Sequence, residues 1–246
     1  IEWLLTRHKE ISYPTFVQET FQDTYFTDDE NAWIDQTITN IRHLSDPYKF
    51  ALAFFALCQS CIIKRPYNLF HRKNLYIRFA DVERSFGNKT TWDTPFEEWF
   101  RSFAKEANNA VFNNSQRNYA INSDILTISD EYDLVYVDPP YLSAQGTGVD
   151  YWEFYHFLEG LTMYDEWKEQ IDFKSKHHRL IRRTSEWANK QLIGSTFEKT
   201  FEKFRNSIIV VSYRSDGIPS IEELTALLQK YKRNVRMEQY GQYKYV

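Results

Sequence analysis

The sequence predicts an α/β protein: a mostly helical first part, residues 1–93, followed by an α/β part, residues 94–246, built on a mostly parallel sheet. Three observations predict it. Helix-start signals punctuate the first part, helices and strands alternate after Asn118, and residues 133–137 and 207–214 are apolar runs of the kind found in buried parallel strands.

In chain order, Thr27-Asp28-Asp29-Glu30 is a capping box, and Ile34, Ile38 and Ile41 follow at helical spacing, so a helix over 28–44 is expected. Asp46-Pro47 breaks it. Residues 48–63 resume as a buried helix that ends before Pro66. Thr94-Pro95-Phe96-Glu97 is a second capping box, with Pro at the first helical position and Phe96, Trp99, Phe100 and Phe103 on one face. Tyr119-Ala120-Ile121 is a short strand candidate ending at Asn122-Ser123-Asp124. After the 133–137 strand come an aromatic helix over 151–161 and a helix over 186–204. Asp216-Gly217-Ile218-Pro219 turns the chain beyond the second strand, and Ser220 with Glu223 caps a helix carrying Ile221, Leu224 and Leu228. Residues 235–240 are a further strand candidate, and Tyr243-Lys244-Tyr245-Val246 resembles an interrupted one.

The chemistry concentrates where the 133–137 strand runs into Asp138-Pro139-Pro140-Tyr141. Neither proline has an N–H for a ladder, so the chain leaves the sheet at Asp138, at the strand's carboxyl end, where open α/β sheets bind ligands. This corner suits methylation of an exocyclic amine on a nucleic-acid base. Such an amine is a weak nucleophile because its lone pair is delocalised into the ring. The Asp138 carboxylate and the Pro139 carbonyl can accept its two hydrogens and localise the pair, while Tyr141 stacks on a flipped base.

Composition sets bounds. The chain has 246 residues, 42% hydrophobic, enough for one large or two small packed domains. Its net charge of −4 makes no bulk case for nucleic acid, so any DNA contact rests on local basic patches. Two cysteines and no signal peptide suit a reducing cytoplasm, and no apolar run is long enough to span a membrane. Nothing specifies an oligomeric state.

These residues resemble the Dam-type adenine-specific DNA methyltransferases, in which Asp-Pro-Pro-Tyr is the catalytic motif. Asn122-Ser123-Asp124-Ile125, Tyr155-His156 and the 212–219 segment Ser-Tyr-Arg-Ser-Asp-Gly-Ile-Pro add to the likeness. The resemblance implies a Rossmann-like methyltransferase fold with an incomplete sheet, S-adenosylmethionine as cofactor and double-stranded DNA as substrate. It also implies no metal and a setting beside a restriction endonuclease. It implies that Asp138, Pro139, Pro140 and Tyr141 are catalytic, and that Asp124, Ile125 and Asp138 face the cofactor. The first part, entered through Tyr25-Phe26-Thr27, resembles the target-recognition insertion. One departure stands out. The family's Gly-x-Gly cofactor loop precedes the motif, whereas Gly146 and Gly148, the Gly-x-Gly here, follow it and would loosen a loop over the flipped base. The amino-terminal third of such an enzyme is therefore expected to be missing. Cytosine-N4 methylation, or a DNA-binding fragment needing a partner segment, are the alternatives.

The DNA contacts expected are Lys64, Arg65, Arg72, Lys73 and Arg78 in one basic and aromatic segment, with Arg182 and Arg183 in a second basic run beginning at Lys174. Asp124 has a plain alternative as a turn residue, and Arg214 and Ser215 as helix caps. Cys58-x-x-Cys61 with His8-x-Glu10 superficially matches a zinc deaminase signature, but Leu57 replaces its proline and both thiols sit in an apolar helical run. Core cysteines are the better reading.

Overall fold

The structure is a computed structural model describing residues 1–81, 89–145, 148 and 150–240. Gly146, Gly87 and the 243–246 run lie outside the described residues.

The chain divides into two compact units, residues 1–116 with 152–182, and residues 117–151 with 183–246. The packing boundary therefore does not fall at residue 93. The helix expected after Thr94 belongs to the first unit because its Phe96 and Phe100 are buried in that unit's core.

The first unit opens with short helices α1 (Glu2–Leu5) and α2 (Phe16–Thr20). Then come α3 (Asp28–Arg42) and α4 (Pro47–Ile63), and after them α5 (Leu75–Phe79), α6 (Lys89–Asp93) and α7 (Phe96–Ala110). The return segment adds α8 (Tyr151–Phe154), which begins at the boundary, and α9 (His156–Thr162). The capping box of α3 forms as the sequence predicts: Glu30 N–H donates to Thr27 Oγ1, and the Thr27 N–H to Glu30. Asp46 does more than break the chain, because its carboxylate accepts the Tyr48 and Lys49 N–H groups and caps α4. Only one face of α4 is buried, through Ala53, Ala56, Leu57, Ser60 and Cys61; Tyr48 and Phe55 are exposed. The capping box expected at Thr94 is absent. Thr94 Oγ1 donates instead to the Thr90 carbonyl in α6, which leaves Pro95 at the N-cap of α7. The single aromatic helix expected over 151–161 breaks at Tyr155, between α8 and α9.

In the second unit β1 (Leu134–Val137) and β2 (Ile208–Val211) pair in parallel, Leu134 opposite Ile208 and Val137 opposite Val211. One face packs on α10 (Ile193–Lys203) and α11 (Ile221–Gln229), where Val137, Phe197, Phe201 and Leu224 form the core. On the other face Leu134, Tyr136, Ile208 and Val210 are exposed. The strands were expected to be buried on both sides, and the apolar run could not reveal which neighbours were present. α10 is shorter than expected, because Asn189 Oδ1 accepts the Gln191 N–H in a local turn that competes with helix. The α11 capping box forms between Ser220 and Glu223. Among the described residues, neither 119–121 nor 235–240 makes a strand. Tyr119 and Ile121 stand in solvent, and so few residues do not offset the cost of ordering an edge without a partner.

Candidate active site

β1 ends at Val137, whose side chain is buried, and Asp138 emerges exposed at the rim immediately after it. The Tyr141 hydroxyl donates to Asp138 Oδ1 at 2.8 Å and lies 2.9 Å from Ser212 Oγ. The Tyr141 ring meets Tyr213 edge-on, with centroids 5.6 Å apart. The Ser212 hydroxyl draws the Tyr141 pKa down, but burial and the Asp138 carboxylate outweigh it, and the phenol titrates above its ordinary value. It keeps its proton on Asp138. The second Asp138 oxygen and the Pro139 carbonyl have no hydrogen-bond partner among the described residues. Among the described residues these two acceptors, on consecutive residues, take no donor, and a donor with two hydrogens on one nitrogen could use both.

The corner is held from behind by the segment after β2. Ser212 N–H donates to the Val137 carbonyl at 3.0 Å, Ala144 N–H to Asp216 O at 2.9 Å, and Ile218 N–H to Leu142 O at 2.9 Å. The Leu142 N–H donates to the Tyr213 hydroxyl at 3.3 Å, and that hydroxyl donates to the Ile218 carbonyl. Gly217 bridges to Ser143, and a Cβ on it would lie 2.5 Å from Tyr213 Cε1, so only glycine fits. Arg214 clamps the Asp216 carboxylate with two nitrogens, at 2.6 and 2.8 Å, and it is Ser220 that caps α11. Sequence reasoning quoted this segment for its resemblance and missed Ser212 and Tyr213 as supports of the motif. Their only signal was a polar-aromatic pair directly after a strand.

Asp124 is not at a strand end. It is exposed, its Oδ1 accepts the Leu126 N–H at 2.7 Å, and its carbonyl accepts the Thr127 N–H at 2.9 Å, so it builds a turn that also carries Ile125. Its other carboxylate oxygen has no partner among the described residues, which leaves an acceptor suited to a nucleoside hydroxyl or amine. To that extent the donor set fits S-adenosylmethionine. The backbone cradle that a Gly-x-Gly loop supplies is not present upstream of the motif in this sequence.

Of the expected DNA contacts, three point inward. Lys64, Arg65 and Arg78 are only 2%, 1% and 6% exposed. Lys64 Nζ reaches Glu30 at 2.7 Å, and Arg78 grips both Glu30 oxygens at 2.6 and 2.9 Å. Arg65 donates to Asn74 and stacks over the Tyr25 ring at 4.0 Å. Basic residues in an aromatic-rich segment looked like a polyanion surface, yet these three serve the half-buried Glu30 carboxylate and the buried Asn74 side chain. Arg72 and Lys73 are exposed, as is Arg182, which reaches Glu153 at 3.3 Å. Arg183 is exposed in the second unit. Both cysteines are free thiols of α4, Cys61 in the core and Cys58 half-buried beside it. Cys61 is fully buried, and burial pushes Cys58 up to about 12 and Cys61 well above the ordinary thiol value.

A family model described as D12 class N6 adenine-specific DNA methyltransferase matches residues 10–227, a span that contains Asp124, the Asp138 corner and its Tyr213 support. The chain belongs to that family. Type II methyltransferase M2.HphI of Haemophilus parahaemolyticus is 31% identical to this D12-class chain over 228 residues, 89% of the chain and 63% of that protein. Type II methyltransferase M.FokI of Planomicrobium okeanokoites is 30% identical over 123 residues, 49% of the chain and 18% of that protein. Modification methylase StsI of Streptococcus sanguinis is 30% identical over 135 residues, again 49% and 18%. The D12-class chain thus spans less than two thirds of these curated relatives. No solved structure matches it. Among its described residues, no helix is long and apolar enough to cross a membrane.

Proposed function

We propose that this chain carries the acceptor side of adenine-N6 methylation in DNA, within a Rossmann-like methyltransferase whose parallel β1–β2 pair is part of a larger sheet. The observation that carries the proposal is a pair of acceptors in consecutive residues directly after β1, the second Asp138 oxygen and the Pro139 carbonyl, neither with a hydrogen-bond partner among the described residues. An adenine turned out of its duplex places its amino group between them, and each acceptor takes one hydrogen. The nitrogen lone pair is then withdrawn from the ring and directed outward. Pro140 fixes the turn, and Tyr141 offers a ring for the base while its hydroxyl braces Asp138.

Asp124 and Ile125 would hold the nucleoside end of S-adenosylmethionine, beside Asp138. That cofactor, when bound, supplies an electrophilic methyl group. Arg72, Lys73, Arg182 and Arg183 would contact the DNA backbone. The names of the relatives, type II methyltransferases and a modification methylase, support a setting beside a cognate restriction endonuclease, and the cytoplasm is the compartment that goes with it. The test is Asp138→Ala in the full-length protein. Methyl transfer to DNA should vanish while duplex binding persists, and retained transfer refutes the catalytic assignment. Digestion of the product to nucleosides separates N6-methyladenine from N4-methylcytosine.

A further inference from the structure

The first unit contains an open cavity of about 570 Å³ formed where two basic runs, far apart in sequence, face each other. Arg72 and Lys73 stand on one wall, Lys174 and Lys176 on the other. All four are exposed, and none has an ion-pair partner among the described residues. The carboxylate of the lining, Asp172, is already shared with Arg179 at 3.5 Å, and Arg179 also meets Glu153 at 2.9 Å. In a chain of net charge −4, four cations around one opening with no ion-pair partner among the described residues are a local concentration of positive potential.

Both walls are held in place. Ile171 bridges to Leu180 in antiparallel fashion, and Asp172 closes the loop by accepting the Lys174 N–H on its carboxylate and the Ser175 N–H on its carbonyl. His178 Nδ1 lies 2.6 Å from the Thr20 carbonyl, which ties the loop to the helical core. On the facing wall Phe70 N–H donates to Phe154 O at 2.8 Å, and the His71 ring packs edge-on against Phe154. Among the described residues the lining contains no Phe, Tyr or Trp, so cations outnumber flat rings in it. Its polar groups are mostly cations and imidazoles spread over two walls, the pattern that follows an anionic chain instead of enclosing one small anion.

We propose that this cavity is a cradle for the phosphodiester backbone of DNA, with Arg72 and Lys73 on one side of the strand and Lys174 and Lys176 on the other. The proposal rests on the reading of DNA as substrate and names a contact outside the catalytic unit. Lys174 and Lys176 join the DNA surface, and Lys64, Arg65 and Arg78 leave it.

The experiment measures binding of the full chain to a fluorescent duplex as a function of salt. The proteins compared are wild type, Lys73→Ala/Lys174→Ala, Lys174→Ala/Lys176→Ala, and a Lys168→Ala control exposed in the same unit outside the cavity. Removing one cation–phosphate pair lowers the slope of log affinity against log salt by about 0.9, so each double variant should show a slope shallower by nearly two on every duplex sequence. The control should match wild type. If wild type binds and the double variants keep its slope, the cradle is wrong while the methyltransferase reading stands. If wild type binds no duplex at all, the reading of DNA as substrate falls, and the cradle with it. Displacement of duplex by inorganic phosphate at constant ionic strength would make this a free-anion site and overturn the proposal.

Discussion

The Tyr25 hydroxyl lies 2.7 Å from His156 Nε2 and donates to the Phe70 carbonyl, also at 2.7 Å. His156 Nε2 lies 3.0 Å from that same carbonyl, and the Tyr25 hydroxyl is 3.3 Å from the His177 carbonyl. Phe70 adjoins one wall of the basic cavity and His177 forms part of the other, so one buried phenol–imidazole pair fastens both walls. Burial, with His177 nearby, holds the His156 pKa down to about 3, so the imidazole there is neutral and hydrogen-bonds without charge.

Tyr25→Phe removes the hydroxyl and leaves the Phe70 carbonyl and His156 with one partner fewer. Stability should fall by about 1–3 kcal/mol, the cost of stranding buried polar groups. Duplex affinity should drop as well, because the walls lose their common tie. Urea unfolding and the duplex assay check the two; unchanged unfolding would mean that water or His156 replaces the hydroxyl.

Glu30 closes the capping box of α3 and holds the ammonium of Lys64 and the guanidinium of Arg78. Burial pushes its carboxyl up, but Arg78 and Lys64 more than offset that and hold it below the usual carboxylate range. Because its folded pKa is depressed, its contribution is present above the unfolded value near about 4.3 and lost as pH falls through the folded one. Glu30→Gln strands two buried cations and should cost about 3–5 kcal/mol at neutral pH. Denaturant titration measures it, and the gap between variant and wild type should narrow in acid.

Asp35 and His156 give stability opposing pH trends. Asp35 accepts the Val17 and Gln18 N–H groups and the Tyr164 hydroxyl, yet burial raises its pKa to about 6. A raised carboxyl pKa means stability is gained as pH falls from there toward the unfolded value of about 3.9. His156, depressed to about 3, works the other way, since the unfolded chain takes up a proton below about 6.5 and stability is lost. Asp35→Asn removes the first trend, so the variant should lose stability on acidification from neutral to about pH 4 more steeply than wild type. Parallel stability curves for the two proteins would show that Asp35 is not raised.

Gly217→Ala sets a methyl group 2.5 Å from Tyr213 Cε1 and 2.9 Å from Arg214 Cγ. Tyr213 must shift, and with it the hydroxyl that receives the Leu142 N–H behind the Asp138 corner. Methyl transfer should fall in kcat by roughly tenfold or more, since a small misplacement of reacting groups is costly, and the melting temperature should fall too because Tyr213 packs against Phe197. Tyr213→Phe, which keeps the ring and loses the hydroxyl, should show a smaller loss in the same direction.

Gly160→Ala is the contrasting case. A Cβ there would lie 1.8 Å from Trp167 Cε2 in the core of the first unit, so the variant should be strongly destabilised whatever its catalytic corner does. Differential scanning calorimetry reports it directly.

The sequence by itself determined the elements whose causes are local. The capping boxes at Thr27 and Ser220 and the exit from β1 forced by two prolines are all written in adjacent residues. The tertiary structure decided everything that depends on which distant atoms meet. Lys64, Arg65 and Arg78 have the same residue types as Arg72 and Lys73, and lie in the same segment. Only packing turned the first three onto Glu30 and Asn74 and left the others facing Lys174 and Lys176. Tyr25 and His156 were each visible in the sequence, but a hydrogen bond across 131 residues leaves no periodicity to read. The short run at Tyr119 shows the converse: strand-like composition becomes a strand only where a neighbour supplies the other half of the ladder.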